Sequence, residues 1–440
     1  MSSLSTIAKA VSFHKQGKIE KANTAYRKIL KKNPKNADVL NYLGMLEFQR
    51  GNYDLGIKLT KRCLKVFPKH SAGCNNLANM YMTTYDVDQA EIYYLKSISI
   101  DAQAEEPLYN LAVIEKTRKN YEEAEKNFHK VLALNPEHVI CISSLADMYV
   151  KLGHFEQAMK LLQERLKHVD NHTDQKSSLL SIGRLCLLLN DKKNAIVTYE
   201  KCLSIYPNDP MATHMLAAMT GEKVPVKPDE QYVKDLFDGF SLTFDNVLEQ
   251  LDYKAPQHIQ TIIDEIYKET EPHSMRIMDA GCGTGLCGNF LKPLASDLIG
   301  VDLSPGMLQR AKFRNEYDEL IESDLNLYFQ NSTQNFDLIV SADTLCYFGD
   351  LKKFLQLSLS SLNPNGRLIF TVEKFDGKTL TGYNLEPHGR YSHTHSYLTE
   401  SIQESGYKIE DIIVKELRLE RGKQVQGYLV VAKAPESLAQ

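Results

Sequence analysis

The 440-residue sequence predicts two unlike halves. An all-α superhelical solenoid of stacked helix pairs comes first, followed by an α/β domain whose mostly parallel sheet is closed by an antiparallel hairpin. Three observations predict this. Small residues recur at a 34-residue period through the first half, a glycine-rich turn follows an apolar run near residue 280, and short apolar runs alternate with helix-length segments beyond it.

Composition bounds the class. Hydrophobic residues make up 43% and charged residues 25%, a globular balance, and 23 Gly with 15 Pro are too few for a collagenous or low-complexity chain. No apolar run approaches the roughly 18 to 20 residues that cross a bilayer, and the opening residues lack the basic region and apolar stretch of a signal peptide. A cytoplasmic chain is expected. The eight cysteines are scattered with no C-x-x-C pair, so reduced core thiols are expected and no metal site. The net charge of -4 divides into +7 over residues 1–220 and -11 over the remainder. An acidic second half is a poor partner for a polyphosphate backbone, which argues against a nucleic-acid substrate.

In the repeat region Ala22, Gly56, Ala90, Ala124 and Ala158 follow one another at 34-residue steps, with Ala195 after a longer one. Tyr26, Tyr94, Phe128 and Tyr199 stand four residues after the small residue, and Pro34, Pro68, Pro136 and Pro207 close their units. Each unit reads as two amphipathic helices: the small residue lets them approach, the aromatic fills the wedge, and Pro stops the second. Such pairs bury their faces only by stacking. The pattern resembles the tetratricopeptide repeat family, as in "LYNLAVIEKTRKNYEEAEKNFHKVLALNP". It implies six repeats starting near residues 3, 37, 71, 105, 139 and 176, then a capping helix, with 1–220 as the solenoid. The resemblance also implies a concave groove that holds extended peptides. Asn41, Asn75, Asn76, Asn79, Tyr109 and Asn110 fall on the first helices near it, where amides can bond a peptide backbone as donor and acceptor. A protein or peptide partner is therefore expected, although the same residues also suit a plain solvated face.

Residues 221–232 carry two prolines without an apolar period and read as a linker. Residues 233–272 recover helical spacing, with Phe237, Phe240 and Phe244 forming a stripe that suits either a lid over a ligand or ordinary packing. In the last segment, 273–435, "RIMDAG", "DLIGVDL", "FDLIVSAD" and "GRLIFTVE" read as strands alternating with helices. "YKIEDIIVKEL" and "VQGYLVVAK" suit the closing hairpin.

The motif that carries chemistry is Asp279-Ala-Gly-Cys-Gly-Thr-Gly285, between the first strand and a helix. Glycines there let a bulky ligand approach the backbone, and a helix N-terminus offers free N–H groups. Gly283, Gly285 and Gly288 also spell G-x-G-x-x-G with Asp302 downstream, so a nicotinamide dinucleotide is an alternative. Against it, a carboxylate at Asp279 would repel a pyrophosphate and suits the ammonium of an amino-acid-bearing cofactor. Together with Gly300-Val-Asp-Leu-Ser-Pro-Gly-Met-Leu308, the motif resembles the Rossmann-like class I S-adenosylmethionine-dependent methyltransferases, whose sheet is seven-stranded.

By that resemblance, S-adenosyl-L-methionine is the cofactor and the matching positions take its parts. Asp279 lies near the methionine moiety; Gly281, Cys282 and Gly283 form the backbone approach; Asp302 accepts from the ribose hydroxyls. Leu303 and Met307 pack the adenine, Asp324 and Leu325 meet its amino edge, and Ala342 and Asp343 close the cleft after the fourth strand. Methyl transfer needs in-line positioning, with a base only where the acceptor must lose a proton. The N-P-P-Y-like tetrad of enzymes that methylate amino groups of nucleic acids is replaced by "SADT". His388, Tyr391, His393 and His395 cluster in "EPHGRYSHTHSY" and are the candidate base or acceptor contacts, loop structure being the other reading. Tyr347 and Tyr397 join the phenylalanines as candidate acceptor-lid residues. "GRYSHTHSYL" with "LRLERGKQVQGYLVVAK" also resembles bacterial proteins that join such repeats to a methyltransferase domain. The leading expectation is a methyltransferase whose solenoid recruits a protein partner or protein substrate. The alternatives are a small-molecule methyltransferase that uses the repeats for docking or oligomerisation, and a scaffold with a vestigial catalytic fold.

Overall fold

A computed structural model describes residues 3–168, 172–241, 244–420 and 422–437, and the chain divides into two compact units, 1–185 and 186–440. The first unit is helical. Its pairs are α1 (Ser3–Lys15) with α2 (Ile19–Lys32), α3 (Ala37–Gln49) with α4 (Tyr53–Val66), and α5 (Ser71–Thr83) with α6 (Val87–Ile100). α7 (Glu105–Thr117) with α8 (Tyr121–Leu134), and α9 (Val139–Lys151) with α10 (Phe155–His168), continue the series, and α11 (His172–Leu188) carries the junction between units. The first helices of five pairs begin at the expected positions, whereas α11 starts at 172, ahead of 176.

The periodic residues do what their size dictates. Ala22, Ala90, Ala124 and Ala158 are wholly buried, as are Tyr26 and Phe128. A Cβ on Gly56 would sit 2.9 Å from the Gly44 carbonyl, and one on Gly44 would sit 2.4 Å from Thr60 Oγ1, so α3 and α4 meet backbone to backbone.

The second unit opens with α12 (Lys192–Ile205) and α13 (Pro210–Thr220), capped by Gly221 in the left-handed region at φ 73°. α13 packs Ala217 and Ala218 against Leu385 and Tyr391, and His214 Nε2 lies 2.8 Å from the Gly389 carbonyl. These contacts tie the end of the repeat region to the sheet domain, and the division between units accordingly falls before residue 220. Residues 221–232 are tied down as well: Pro225 O accepts from the Tyr391 hydroxyl at 2.6 Å, and Val226 O accepts from the Gly349 and Asp350 amides.

Next come α14 (Glu230–Phe240), α15 (Phe244–Gln250) and α16 (Ala255–Ile266). The strands are β1 (Met275–Ala280), β2 (Ala295–Asp302), β3 (Glu319–Glu322), β4 (Phe336–Ser341), β5 (Leu362–Lys374), β6 (Tyr383–Leu385), β7 (Tyr391–His393), β8 (Lys408–Glu420) and β9 (Lys423–Lys433). Between them lie α17 (Gly288–Leu291), α18 (Pro305–Arg314), α19 (Leu325–Asn331), α20 (Lys352–Ser360) and α21 (His395–Glu404). β3, β2, β1, β4 and β5 are parallel neighbours in that order; β9 joins β5 antiparallel and β8 pairs with β9. This is the expected parallel sheet with its closing hairpin. A short β6–β7 hairpin, absent from the sequence reading, extends the C-terminal end of β5 at Glu373 and Lys374. Strands β1 and β4, and β5 from Leu368 to Val372, are buried on both faces over most of their length, as a sheet covered by helices requires.

Candidate cofactor and acceptor site

The chain runs outward from β1 to β2 and β3, then returns to β4 on the other side of β1. At such a reversal the loops after neighbouring strands diverge and leave a crevice at the strand ends. A cavity of about 330 Å³ lies there, lined by residues from the ends of β1, β2 and β4 and by α14 and α15. Asp279, Gly281, Cys282, Gly283, Asp302, Leu303, Met307, Asp324, Leu325, Ala342 and Asp343 all line it, as do Phe237, Phe244 and Tyr347. The side chain of Phe240 is outside the described residues.

Register explains the convergence. Asp279 stands opposite Gly300 in β2, which leaves Asp302 just beyond the Ala280–Val301 pair. Gly281 and Gly283 have φ values of 78° and 54°, and a Cβ on Gly281 would lie 2.2 Å from Thr344 Oγ1. Only glycine fits that turn. Asp302 accepts from the Gly283 amide and the Ser304 amide, each at 2.9 Å, which fixes its carboxylate at the cavity wall while leaving lone pairs free. Burial pushes its carboxyl upward, opposed by those backbone donors. Asp279 is 1% exposed, and burial raises its carboxyl to about 7 although Tyr317 donates to Oδ2 at 2.7 Å. Asp324 caps α19 by accepting from the Leu327 amide, and its other oxygen pairs with Lys227.

Helices α14 and α15 form a strap along one side. Asp238 accepts from Ser304 Oγ at 2.5 Å and the Gly306 amide at 3.1 Å. Asp245 accepts from Thr284 Oγ1 at 2.5 Å and pairs with Arg314 at 2.7 Å. Phe237 sits edge-on to Tyr347 with centroids 5.2 Å apart, so the strap meets the wall after β4 through aromatic contact.

Around the ends of β4, β5 and β8 lies an ion-pair cluster that the sequence reading missed. Arg418 pairs with Asp343 at 2.6 Å and with Glu373, while Arg390 pairs with Glu373 at 2.6 Å and with Glu420. Arg390, Arg418, Glu420 and Asp343 line the cavity, together with Tyr253 and Lys227. Charged residues alternating along a strand normally face solvent, so nothing in "LRLER" marks Arg418 as buried; here it is 3% exposed.

The candidate bases are a correction. Among them His388, Tyr391, His393 and His395 do not line the cavity. His393 is fully buried with Nε2 3.0 Å from the Gly349 carbonyl, and burial drives its imidazole down to about 4. Tyr391 is spent on Pro225, His395 is exposed at the start of α21 beside Tyr428, and His388 lies 3.6 Å from Glu373. Tyr397 is likewise off the cavity, donating to Asp350 and accepting from the Leu351 amide. The physical reason is the β6–β7 hairpin: Tyr391 and His393 lie on one face of β7 and are buried there, while Arg390, just before β7, reaches the cavity. Among the described residues no group of three or more His, Cys, Asp and Glu is arranged to hold a metal ion.

The groove residues need correcting too. Asn41 and Asn75 are buried, and Asn76 donates to Asn41 Oδ1 at 3.1 Å. Asn79 accepts from Tyr94 and Asn110 and donates to Glu106, while the Tyr109 hydroxyl lies 3.0 Å from Ser144 Oγ. Asn41, Asn76, Asn79, Tyr109 and Asn110 thus bond neighbouring helices of the solenoid and do not stand as a free row of amides.

The cavity fits S-adenosylmethionine. A glycine turn that a Cβ would fill and a carboxylate at each of two strand ends supply a close approach and spare acceptors for hydroxyl and ammonium groups.

Comparison with known proteins agrees with both halves. Residues 278–370 match the family model described as a methyltransferase domain, and residues 7–62, 72–103, 117–182 and 177–209 match tetratricopeptide repeat models. A mitochondrial ubiquinone biosynthesis O-methyltransferase of Bos taurus is 27% identical over 105 residues, covering 22% of this chain and 28% of that protein. A malonyl-[acyl-carrier protein] O-methyltransferase of Priestia megaterium is 26% identical over 193 residues, covering 42% and 66%. The chain thus matches 28% of the length of the first of these relatives. Magnesium protoporphyrin IX methyltransferase from Synechocystis, solved with S-adenosylhomocysteine, is similar to 47% of this chain and 100% of its own, with 16% identity and a TM-score of 0.37. The chain is thus similar to tetratricopeptide repeat proteins through its first half and to a methyltransferase domain over residues 278–370.

Proposed function

We propose that this protein transfers a methyl group from S-adenosylmethionine to an oxygen acceptor inside the cavity at the β1/β4 strand ends, with the repeat region recruiting a protein partner or protein substrate. The observation that carries the reading is the convergence of the Asp279–Gly283 turn, Asp302, Asp324 and Asp343 on one cavity. The bound cofactor would supply a methyl on a positively charged sulfur. Asp302 would take the ribose hydroxyls, Leu303 and Met307 the adenine faces, and Asp279 the amino-acid end. The strap of α14 and α15 would exclude water, which strengthens every polar contact inside. That the sequence relatives are named for O-methylation supports an oxygen acceptor. Eight unpaired cysteines support a reducing compartment.

A second reading, a free small-molecule acceptor with the repeats serving docking or oligomerisation, draws on the strap itself. Phe237, Phe244 and Leu248 give the cavity an apolar wall suited to a compact acceptor. Methyl-labelled S-adenosylmethionine incubated with protein and lysate, then separated into protein, nucleic-acid and metabolite fractions, decides between them, with Asp302→Ala as the blank. Label in a discrete protein band supports recruitment of a protein substrate; label among metabolites alone supports the second reading. Absence of cofactor binding would sink both.

A further inference from the structure

We propose that Asp343 is the residue that receives the methyl acceptor, and that it selects an acceptor whose nucleophile carries a proton, a hydroxyl in preference to a carboxylate. This rests on the reading of the cavity as a methyltransferase site and goes beyond it by assigning the acceptor chemistry.

Asp343 follows β4 at the reversal point and lines the cavity. Its backbone is held at φ 56°, a left-handed conformation uncommon for a residue other than glycine. Two contacts keep it there: its amide donates to Thr371 Oγ1 at 2.8 Å, and its carbonyl accepts from the Cys346 thiol at 3.0 Å. Strain of this kind persists where the surroundings over-determine a geometry. The side chain is aimed by one bond, the 2.6 Å pair between Oδ2 and Arg418 Nη1. Oδ1 is buried and has no partner.

A buried carboxylate oxygen without a donor is costly. A ligand that donates to it recovers that loss; a ligand that presents another anionic oxygen cannot. The surrounding charges point the same way. Arg390 and Arg418 face three carboxylates, Asp343, Glu373 and Glu420, so the cluster already carries one excess negative charge. Both guanidiniums are occupied by these partners and are poor sites for a further carboxylate. The histidines that could have served as bases lie off the cavity, and of the carboxylates that line it Asp343 is the one with a buried oxygen lacking a partner. In the reaction the acceptor oxygen forms the new O–C bond, the C–S bond breaks with its electron pair on sulfur, and the O–H proton passes to Asp343 and then to water.

The apolar wall of Phe237, Phe244 and Leu248 makes phenol and benzoate suitable probes of equal ring size. Their binding is measured by calorimetry on the full chain saturated with S-adenosylhomocysteine, for wild type and Asp343→Asn. The expected result is saturable phenol binding at least tenfold tighter than benzoate, with the preference reduced to within twofold in the variant. A single cooperative thermal unfolding transition shows that the Asp343→Asn variant is folded. Phenol binding no tighter than benzoate in wild type, including no saturable binding of either, overturns the proposal, as does an unchanged preference in Asp343→Asn. Failure of wild type to bind S-adenosylhomocysteine overturns the methyltransferase reading instead.

Discussion

The hydroxyl of Tyr317 donates to Oδ2 of Asp279 at 2.7 Å, and it is the hydrogen bond that holds down a carboxyl otherwise driven up by burial. Tyr317 lies in the loop before β3, so the carboxyl that ends β1 is tuned by a residue from across β2.

This relationship sets a pH dependence for cofactor affinity. With its carboxyl raised to about 7, unliganded Asp279 is largely protonated below that pH, and a cationic ligand group prefers the ionised form. Affinity should therefore climb by up to about tenfold per unit as pH rises toward 7 and level off above it. Folding stability runs the other way: the raised group contributes fully below about 4 and that contribution is lost as pH rises through about 7. Calorimetric titration with S-adenosylhomocysteine between pH 5.5 and 8.5 checks the first sign, with Asp279→Asn expected to be flat. Tyr317→Phe should weaken binding at pH 7 roughly tenfold by removing a hydrogen bond to a charged group. A flat wild-type profile would falsify the assignment.

The two glycines of the turn should fail differently. At Gly281 a Cβ would lie 2.2 Å from Thr344 Oγ1, so Gly281→Ala should lower Tm and abolish cofactor binding together. At Gly283 a Cβ meets nothing within 4 Å, and the cost is that of a positive φ, about 1 kcal/mol. Gly283→Ala should keep most of the Tm yet bind at least tenfold more weakly, because the methyl stands where the ligand approaches. Equal Tm losses in both variants would contradict this.

Strap closure rests on two carboxylates. Removing Asp238 frees Ser304 Oγ and the Gly306 amide, and removing Asp245 frees Thr284 and Arg314. Each single alanine variant should raise the dissociation rate of S-adenosylhomocysteine about threefold to tenfold, corresponding to roughly 1 kcal/mol of lost latch energy. Stopped-flow displacement reads this directly; unchanged rates in both would mean that the strap does not gate the ligand.

His393 makes the sheet domain acid-sensitive. Its folded value near 4 lies below the ordinary imidazole range, so stability is lost as pH falls from about 6.5 toward 4, with about 2 kcal/mol gone by pH 5. Glu373 and Glu420, held low against burial by Arg390 and Arg418, add losses of the same sign at still lower pH. Scanning calorimetry at pH 7 and pH 5 should show a smaller drop for His393→Gln than for wild type.

In the repeat unit Tyr94 tests the wedge. It is 1% exposed and donates to Asn79 at 2.6 Å. Tyr94→Phe should cost about 1 kcal/mol and Tyr94→Ala about 3–5 kcal/mol of unfolding free energy. A Tyr94→Ala variant with wild-type unfolding would remove the aromatic from its structural role.

Periodicity and local turn chemistry were enough to specify much of this protein. A 34-residue rhythm of small and aromatic residues can be satisfied only by stacked helix pairs, because each unit leaves an apolar face that its neighbour must cover. The Asp279–Gly285 turn and Asp302 were legible because the chain segment itself dictates where backbone and carboxylate stand. What the tertiary structure alone decided depends on partners distant in sequence. Whether His393 or Arg390 faces the cavity turns on one residue of strand alternation in a hairpin that residues 383–393 do not advertise. Arg418 is buried because Asp343 and Glu373, from other strands, meet it there. Asn79 reads as a free amide along the chain and is consumed by Tyr94, Asn110 and Glu106 only once the helices stack. Side chains whose role follows from their own helix or turn can be read from sequence; those defined by a counter-charge or donor from another element exist only in the folded chain.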